Sequence, residues 1–400
     1  METEEPREKM SILSYGLLAM TLSHITTHVF QRIHLTLFPV IRSEFSLSLL
    51  QLGVIAGIPH LCQALFYLPS GLLSDRFGSK RMILLSLFVA ALGSFMASQT
   101  VNPMMLIVSV SLVYINTTVY HPAAYSFTTR LFKLRDRAKA LGIHGCGGTF
   151  GMAIGPISVG ILMGILAFGW RQVYLFWFVP VLLIIIVVLR IRFEPKDDLK
   201  DDDRRPKPSL QTNSLFTPSL VMFLVFLSVR MWAWQMISAF LPIYLVDEKG
   251  LNNVVSSLVY GSSSLMGLAA APVGGLMASR FGEKKWLLTV LSLSYIFLGL
   301  AVIIPNVAVF IILYLSYSFC SFLGMAANSA IMAQLSPSHR RGLAYALFFL
   351  PGSIMGAVAP PMAAYIAGAF GLTSIFAFAL VGFVVGLVAL KLGVEIRRVP

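Results

Sequence analysis

Histidine side chains stand at helical spacing on the first long apolar segment of the chain. His24 and His28 are four residues apart, and Thr21 and Gln31 continue the same spacing in both directions. Residues three and four apart lie on one face of a helix, so these side chains form a polar stripe with Arg32 at its edge. Imidazole exchanges protons near neutral pH, and guanidinium keeps its charge. The stripe therefore predicts a site that binds an anion or carries a proton.

Further polar side chains interrupt three other apolar segments. They are Asn116 and His121 in the fourth, Arg230 and Trp234 in the seventh, and Tyr317 and Asn328 in the tenth. Because an ionisable group in hydrocarbon is costly, it usually faces a cavity rather than lipid. We predict that these six residues bind the substrate together with His24, His28 and Arg32, and that His24 and His28 carry the proton. For Arg32 there is an open alternative, in which its long side chain reaches the outer membrane surface.

The elements that position these residues follow from the composition. With 57% hydrophobic residues, 12% charged residues and a mean hydropathy of +0.82, the chain has too few charges to cover a soluble surface. Apolar runs of roughly 20 residues are long enough to cross a bilayer as helices. Twelve such runs fall at about 11–40, 48–70, 82–99, 104–128, 138–167, 172–191, 216–246, 253–278, 286–304, 307–333, 342–369 and 373–391. The sequence thus predicts an all-α membrane protein with twelve transmembrane helices.

An internal repeat divides these helices into two sets. GLLSDRFGSKR at 71–81 returns as GLMASRFGEKK at 275–285, with Asp75 replaced by Ser279. A repeat of half the chain length indicates two pseudo-symmetric six-helix bundles. We place the N-terminal half at 1–193, a polar and charged cytoplasmic linker at 194–215, and the C-terminal half at 216–400.

Basic residues indicate the orientation. When loops are assigned alternately to two sides, only Arg42, Arg171 and Lys249 fall on one side, and nearly all other Lys and Arg fall on the opposite side. Short cytoplasmic loops collect basic residues, so both termini are predicted to be cytoplasmic, in a protein of the cell membrane. This topology explains the net charge of +13, and we expect no nucleic-acid partner.

The repeated loop carries a family resemblance. Its first copy, after the second of twelve spans, resembles the signature of the major facilitator superfamily at Gly71, Asp75, Arg76, Gly78, Lys80 and Arg81. The resemblance implies that these six residues form a conformational gate, in which Asp75 ties the two halves together on the cytoplasmic side in the outward-open state. The segments SHITTHVF (23–30) and GTFGMAIGPISVGIL (148–162) are similar to exporters of the fosmidomycin-resistance type.

Glycines in the fifth span also favour an exporter. Gly147, Gly151 and Gly155 recur every four residues and form a small-residue face for close helix packing. With Pro156 they resemble the glycine-proline motif of antiporters, which favours antiport or efflux. An alternative is that such a face serves packing alone, whatever the direction of transport.

The signs of the buried charges favour an anionic substrate. The middle of each predicted span lacks a carboxylate, so the substrate itself would supply the charge opposite to arginine. We predict a secondary active transporter, a proton-coupled exporter of a small organic anion that works by alternating access. Exporters of the fosmidomycin-resistance type usually carry an acid where this chain has His28. The resemblance therefore implies coupling through histidine or exchange with a counter-anion.

Two other functions remain open from the sequence. Arg32, Arg230 and His144 resemble the arrangement in organophosphate:phosphate antiporters, and a non-transporting sensor of the same fold is the second alternative. Enzyme activity is not expected, because the chain lacks a nucleophile, metal or phosphate-loop constellation. We predict no cofactor and no metal site, and we expect a monomer in the lipid bilayer.

Overall fold

The computed structural model describes residues 14–132, 134–191, 217–336 and 341–396. The predicted linker 194–215 lies outside these residues. The first half comprises α1 (Tyr15–Thr36), α2 (Phe38–Phe45), α3 (Leu49–Phe77), α4 (Ser79–Ser98), α5 (Pro103–Leu131), α6 (Leu134–Gly164) and α7 (Trp170–Leu189). The second comprises α8 (Pro218–Asp247), α9 (Asn253–Phe281), α10 (Glu283–Ile303), α11 (Val307–Leu323), α12 (Met325–Leu335), α13 (Arg341–Phe370) and α14 (Ser374–Gly393).

Transmembrane helices make up the fold. In the described residues, 11 helical segments are long and apolar enough to span a bilayer, and α11 with α12 counts as one of them. The twelfth is α1, whose 22 residues suffice in length but whose histidines and arginine lower its hydropathy. The prediction of an all-α membrane protein with twelve spanning helices is confirmed.

Two predicted spans are divided. The first, expected to run over 11–40, stops at Leu37, and α2 then continues with Pro39 in its first turn, where a missing N–H costs no hydrogen bond. The tenth, expected over 307–333, divides at Gly324. A Cβ at Gly324 would lie 2.7 Å from Leu287 Cδ1, so the absent side chain lets α10 approach at the break.

The repeat has a structural counterpart in both halves. Gly78 ends α3 with φ 85°, and Gly282 ends α9 with φ 86°, a conformation that favours glycine. Lys80 donates to the carbonyl of Ile191 (2.6 Å) beyond the end of α7, and Lys284 donates to that of Val394 (2.6 Å) beyond the end of α14. Each lysine thus holds the end of the last helix of its own half.

The two halves touch at the end of the bundle that the charge pattern assigns to the outside. There α3 packs on α13 and α6 on α9: a Cβ at Gly53 would lie 2.8 Å from Pro360 O, and one at Gly261 would lie 2.8 Å from Ala153 O. The absent side chains therefore let backbones meet between the halves.

Candidate functional site

Three histidines from two helices converge inside the N-terminal half. His24 and His28 come from α1 and His121 from α5. Their Nε2 atoms lie 3.0 Å apart for His24 and His28, 3.3 Å for His24 and His121, and 3.3 Å for His28 and His121. We call these three residues the histidine cluster. The i, i+4 spacing places the first two on one face, and α5 supplies the third.

Backbone carbonyls determine which nitrogens of the histidine cluster carry protons. Nδ1 of His24 lies 2.7 Å from the carbonyl of His144, and Nδ1 of His121 lies 2.7 Å from that of Thr117. A carbonyl only accepts, so both Nδ1 atoms donate. In the neutral rings Nε2 therefore has a free lone pair. The ring of His144 also stacks on His24, with centroids 4.2 Å apart.

Glycines of α6 make room for these side chains. A Cβ at Gly148 would lie 2.8 Å from His24 Nε2, and a Cβ at Gly151 would lie 2.2 Å from the carbonyl oxygen of Ile25. The glycine face predicted from the sequence therefore packs on α1: a Cβ at Gly147 or Gly155 would lie 2.8 Å or 2.7 Å from a carbonyl of that helix. Pro156 lies within α6 beside this face. The sequence prediction left out Gly148, whose neighbours are the histidines themselves.

Arg32 connects the two halves. It is 8% exposed and donates to Ser238 Oγ on α8 (2.8 Å) and to the hydroxyl of Tyr260 on α9. Its guanidinium carbon lies 5.0 Å from the ring centroids of both Trp234 and Tyr260, within cation–π range. Among the described residues, ion pairs join Arg42 to Asp247 and Arg171 to Glu44, and Arg32 takes part in neither. The guanidinium is thus buried between the halves, which favours a site role over the surface alternative left open by the sequence.

The remaining predicted site residues lie elsewhere. Arg230 donates to Ser321 Oγ (3.0 Å) within the C-terminal half. Asn116 donates to the carbonyl of Ser86 (2.7 Å) and so contacts α4. The ring of Tyr317 packs against those of Tyr314 and Phe383 at tilted angles, and Asn328 is buried on α12. The structure thus groups His24, His28 and His121, and separately Arg32 with Trp234. Ser238 and Tyr260 gave no periodic signal in the sequence.

The predicted gate residues are described only in part. The side-chain surroundings of Gly71 and Asp75 lie outside the described residues, so the latch role of Asp75 stays a prediction. Arg76 lies over the ring of Phe77 (5.6 Å) and is exposed, as is Arg81. Gly78 and Lys80 have the local roles given above.

Two ion pairs mark the predicted outer end of the bundle. Arg42 on α2 donates to Asp247 at the end of α8 (2.5 Å) and so joins the halves. Arg171 donates to both oxygens of Glu44 (2.6 and 3.1 Å) within the N-terminal half. The hydrogen bond from Arg171 lowers the pKa of the Glu44 carboxyl below its usual value.

Comparison with known sequences identifies the family. The sequence model of the Major Facilitator Superfamily matches residues 20–275 and 231–399. The chain belongs to the major facilitator superfamily. As a member, it is a membrane transporter of small molecules and not an enzyme.

This transporter is similar to several known proteins. It is 28% identical over 303 residues to a probable nitrate/nitrite antiporter, NarK1, from Thermus thermophilus, which covers 71% of this chain and 64% of that protein. It is 26% identical over 279 residues to the fosmidomycin resistance protein of Escherichia coli K12, which covers 68% of this chain and 67% of that protein. The expected resemblance to the fosmidomycin-resistance type is thus confirmed.

A solved structure supports the fold. A bacterial homologue of the human lysosomal transporter Spinster, in an inward-facing and occupied conformation, superposes with a TM-score of 0.82. The match covers 95% of this chain and 96% of that chain at 16% identity. At this identity the likeness shows the fold alone.

Proposed function

We propose that this transporter exports a small anion and that Arg32 is the group that binds it. The supporting observation is the buried guanidinium of Arg32, which the structure pairs with two hydroxyls and two aromatic faces but with no carboxylate of the described residues. Guanidinium cannot release its proton to escape burial. Its charge therefore requires a partner, and an anionic substrate supplies one.

The strength of this attraction is substantial. Two opposite unit charges about 4 Å apart attract by ~4 kcal/mol at an effective dielectric constant of ~20. Ser238 and Tyr260 accept from one terminal nitrogen, Nη1, of the guanidinium. Arginine has five N–H donors in a planar fork, so donors remain for a carboxylate or another oxyanion. A cation would be repelled at the same position.

The relatives support an anion in general. NarK1 is named as a probable nitrate/nitrite antiporter, and nitrate and nitrite are both anions. The proposed substrate class is accordingly a small oxyanion or carboxylate. The protein is proposed to lie in the cell membrane with both termini cytoplasmic. Trp234 beside Arg32 gives the site an apolar wall that suits an organic anion.

We assign proton coupling to the histidine cluster. His24 and His28 present lone pairs or a single shared proton at Nε2, and the ring of His144 stacks on His24. A proton taken up there from outside and released inside drives the anion outward. Direct exchange of one anion for another is the second candidate. Arg32 is bonded to Ser238 and Tyr260 of the C-terminal half, so an anion bound to Arg32 would affect how easily the two halves separate.

Anion flux in proteoliposomes tests this function. We expect nitrate, phosphate or a small carboxylate to move when a proton gradient is imposed, and Arg32→Gln to lose most of this flux at anion concentrations near the wild-type Kd. His24→Gln should retain anion binding but lose the dependence on the gradient. Arg171→Gln, at the predicted outer surface, is the matched control and should transport normally. Flux of cations only, or anion flux that Arg32→Gln leaves unchanged, would contradict the proposal.

A further inference from the structure

We propose that the Nε2 atoms of His24, His28 and His121 form a binding site for a divalent first-row transition-metal ion of the zinc type. The site lies wholly in the N-terminal half, on α1 and α5, with α6 behind it. This ligand is different from the anion of the proposed function, and the proposal does not depend on the identity of that anion.

The distances match a metal-centred arrangement. Imidazole nitrogens bind Zn²⁺ at ~2.0–2.1 Å, and two such nitrogens at tetrahedral angles lie about 3.3 Å from each other. The three observed Nε2 separations are 3.0, 3.3 and 3.3 Å. An ion bound to all three would lie ~0.9 Å out of their plane, given the same bond lengths. Three vertices of a tetrahedron are therefore in place without movement of the helices.

Hydrogen bonds already select the ligand form of two rings. A metal-binding imidazole needs a lone pair on the ligating nitrogen, and its other N–H usually donates to a carbonyl or carboxylate. His24 donates from Nδ1 to the His144 carbonyl and His121 from Nδ1 to the Thr117 carbonyl, both at 2.7 Å. These contacts hold Nε2 of both rings in the form that a metal requires.

The neutral cluster without a bound cation leaves one of its three contacts unfavourable. With Nδ1 protonated in His24 and His121, a neutral cluster has at most one hydrogen at Nε2, from His28. The pair His24–His121, 3.3 Å apart, then has two lone pairs facing each other with no hydrogen between them. A cation bound to all three nitrogens removes this repulsion.

The donor set indicates the class of metal. Imidazole nitrogen suits Zn²⁺, Cu²⁺, Ni²⁺ and Fe²⁺, whereas Mg²⁺ and Ca²⁺ require oxygen ligands. Three neutral ligands leave the ion with its full charge and with one open tetrahedral position, which is typical of sites that bind an exchangeable water or anion. This proposal replaces the sequence prediction of no metal site. The spacing was not visible in the sequence because His28 and His121 are 93 residues apart.

Isothermal titration of the purified full-length transporter with ZnCl₂ in detergent, with no candidate anion substrate present, tests the site. We expect one ion per chain, and at least a ~10-fold weaker affinity in His121→Gln, since even loss of an outer hydrogen-bonding partner costs ~10–100-fold. His34→Gln is the matched control. His34 is a buried histidine of α1, the helix that carries His24 and His28, but it lies outside the histidine cluster, so its loss should leave zinc affinity unchanged. Equal zinc affinity in all three proteins would overturn the proposal.

A second measurement needs no variant. Co²⁺ in a tetrahedral site absorbs visible light much more strongly than octahedral hydrated Co²⁺. We expect the transporter to give the intense tetrahedral bands on addition of CoCl₂, and Zn²⁺ to remove them. A weak octahedral spectrum would show that the three imidazoles do not bind the ion together. Because the titrations contain no candidate anion substrate, their failure is separate from failure of the anion proposal.

Discussion

Replacing Arg32 with glutamine separates a substrate-binding role from a structural one. The wild-type guanidinium is buried and meets only neutral partners, namely Ser238, Tyr260 and Trp234, among the described residues. Glutamine keeps a neutral polar group on a shorter side chain and removes the charge. If the charge exists for the substrate, the variant should fold normally and bind anions poorly.

The expected sizes follow from these contacts. For the protein without ligand, two charge-assisted hydrogen bonds worth ~1.5–3 kcal/mol each are lost, and a desolvation penalty of several kcal/mol is relieved. These effects largely cancel, so the melting temperature should change little. For anion binding, losing one charge-assisted contact of ~2 kcal/mol weakens the affinity about 30-fold.

A thermal-shift assay in detergent reads both effects. An anion at 100 times its Kd stabilises the wild type by ~2.7 kcal/mol, and a 30-fold weaker Kd reduces this at the same concentration to ~0.9 kcal/mol. Nitrate, phosphate and small carboxylates are the first ligands to screen, and Arg171→Gln is the control with an unchanged shift. If Arg32→Gln melts far below the wild type yet keeps the full anion shift, the arginine is structural and the reasoning is refuted.

Four further substitutions have defined outcomes. Gly151→Ala should lower the free energy of unfolding by ~1–3 kcal/mol, because its Cβ would lie 2.2 Å from the carbonyl oxygen of Ile25. Gly142→Ala is the control: a Cβ there would have nothing within 4 Å, so this variant should instead raise the free energy of unfolding by ~0.5–1 kcal/mol. Equal effects of the two substitutions would contradict the packing argument. Glu44→Gln should cost no more than ~1 kcal/mol at neutral pH, since the ion pair is exposed. The pKa of Glu44 is lowered in the folded state, so the carboxylate stabilises the fold above the ordinary carboxyl pKa, and this stabilisation disappears as the pH falls through the folded pKa. The melting temperatures of the wild type and Glu44→Gln should therefore converge in acid. A difference that persists in acid would exclude the ionised carboxylate as its cause. Asp75→Asn should stay folded and shift the transporter toward the inward-open state, as measured by cysteine accessibility, whereas unchanged accessibility and transport would argue against the latch.

The fold was largely predictable from the sequence because its signals are local. Apolar runs define the helices, and the loop copies containing Gly78 and Gly282 reveal the two halves; the matching φ of 85° and 86° has the same steric cause. The role of Lys80 was not evident. Its hydrogen bond to the Ile191 carbonyl joins positions 111 residues apart, and nothing in the loop itself indicates that partner.

The candidate site was predictable only in its parts. Helical spacing identified His24 and His28, but the convergence of three Nε2 atoms depends on ring orientation and on the approach of α5 and α6, which carbonyl acceptors and Gly148 permit. The position of Arg32 depends on contacts with Tyr260 and other residues of the opposite half. Hydroxyls on apolar helices are common, so no pattern in α8 or α9 marked those partners in advance.

The bonds of Arg32 to Ser238 and Tyr260 also affect how an empty carrier behaves. Opening toward the outside must separate α1 from α8 and α9 and so break both bonds, at a cost of ~1.5–3 kcal/mol each. An anion bound to the remaining guanidinium donors, as proposed, would supply the opposite charge once these bonds are broken and so offset this cost. Without substrate, the protein would then change slowly between its inward-open and outward-open states. Anion on one side of the membrane would accelerate transport of anion from the other side. Such trans-acceleration is the kinetic signature of an exchanger, and it would arise here because one arginine both joins the two halves and binds the substrate.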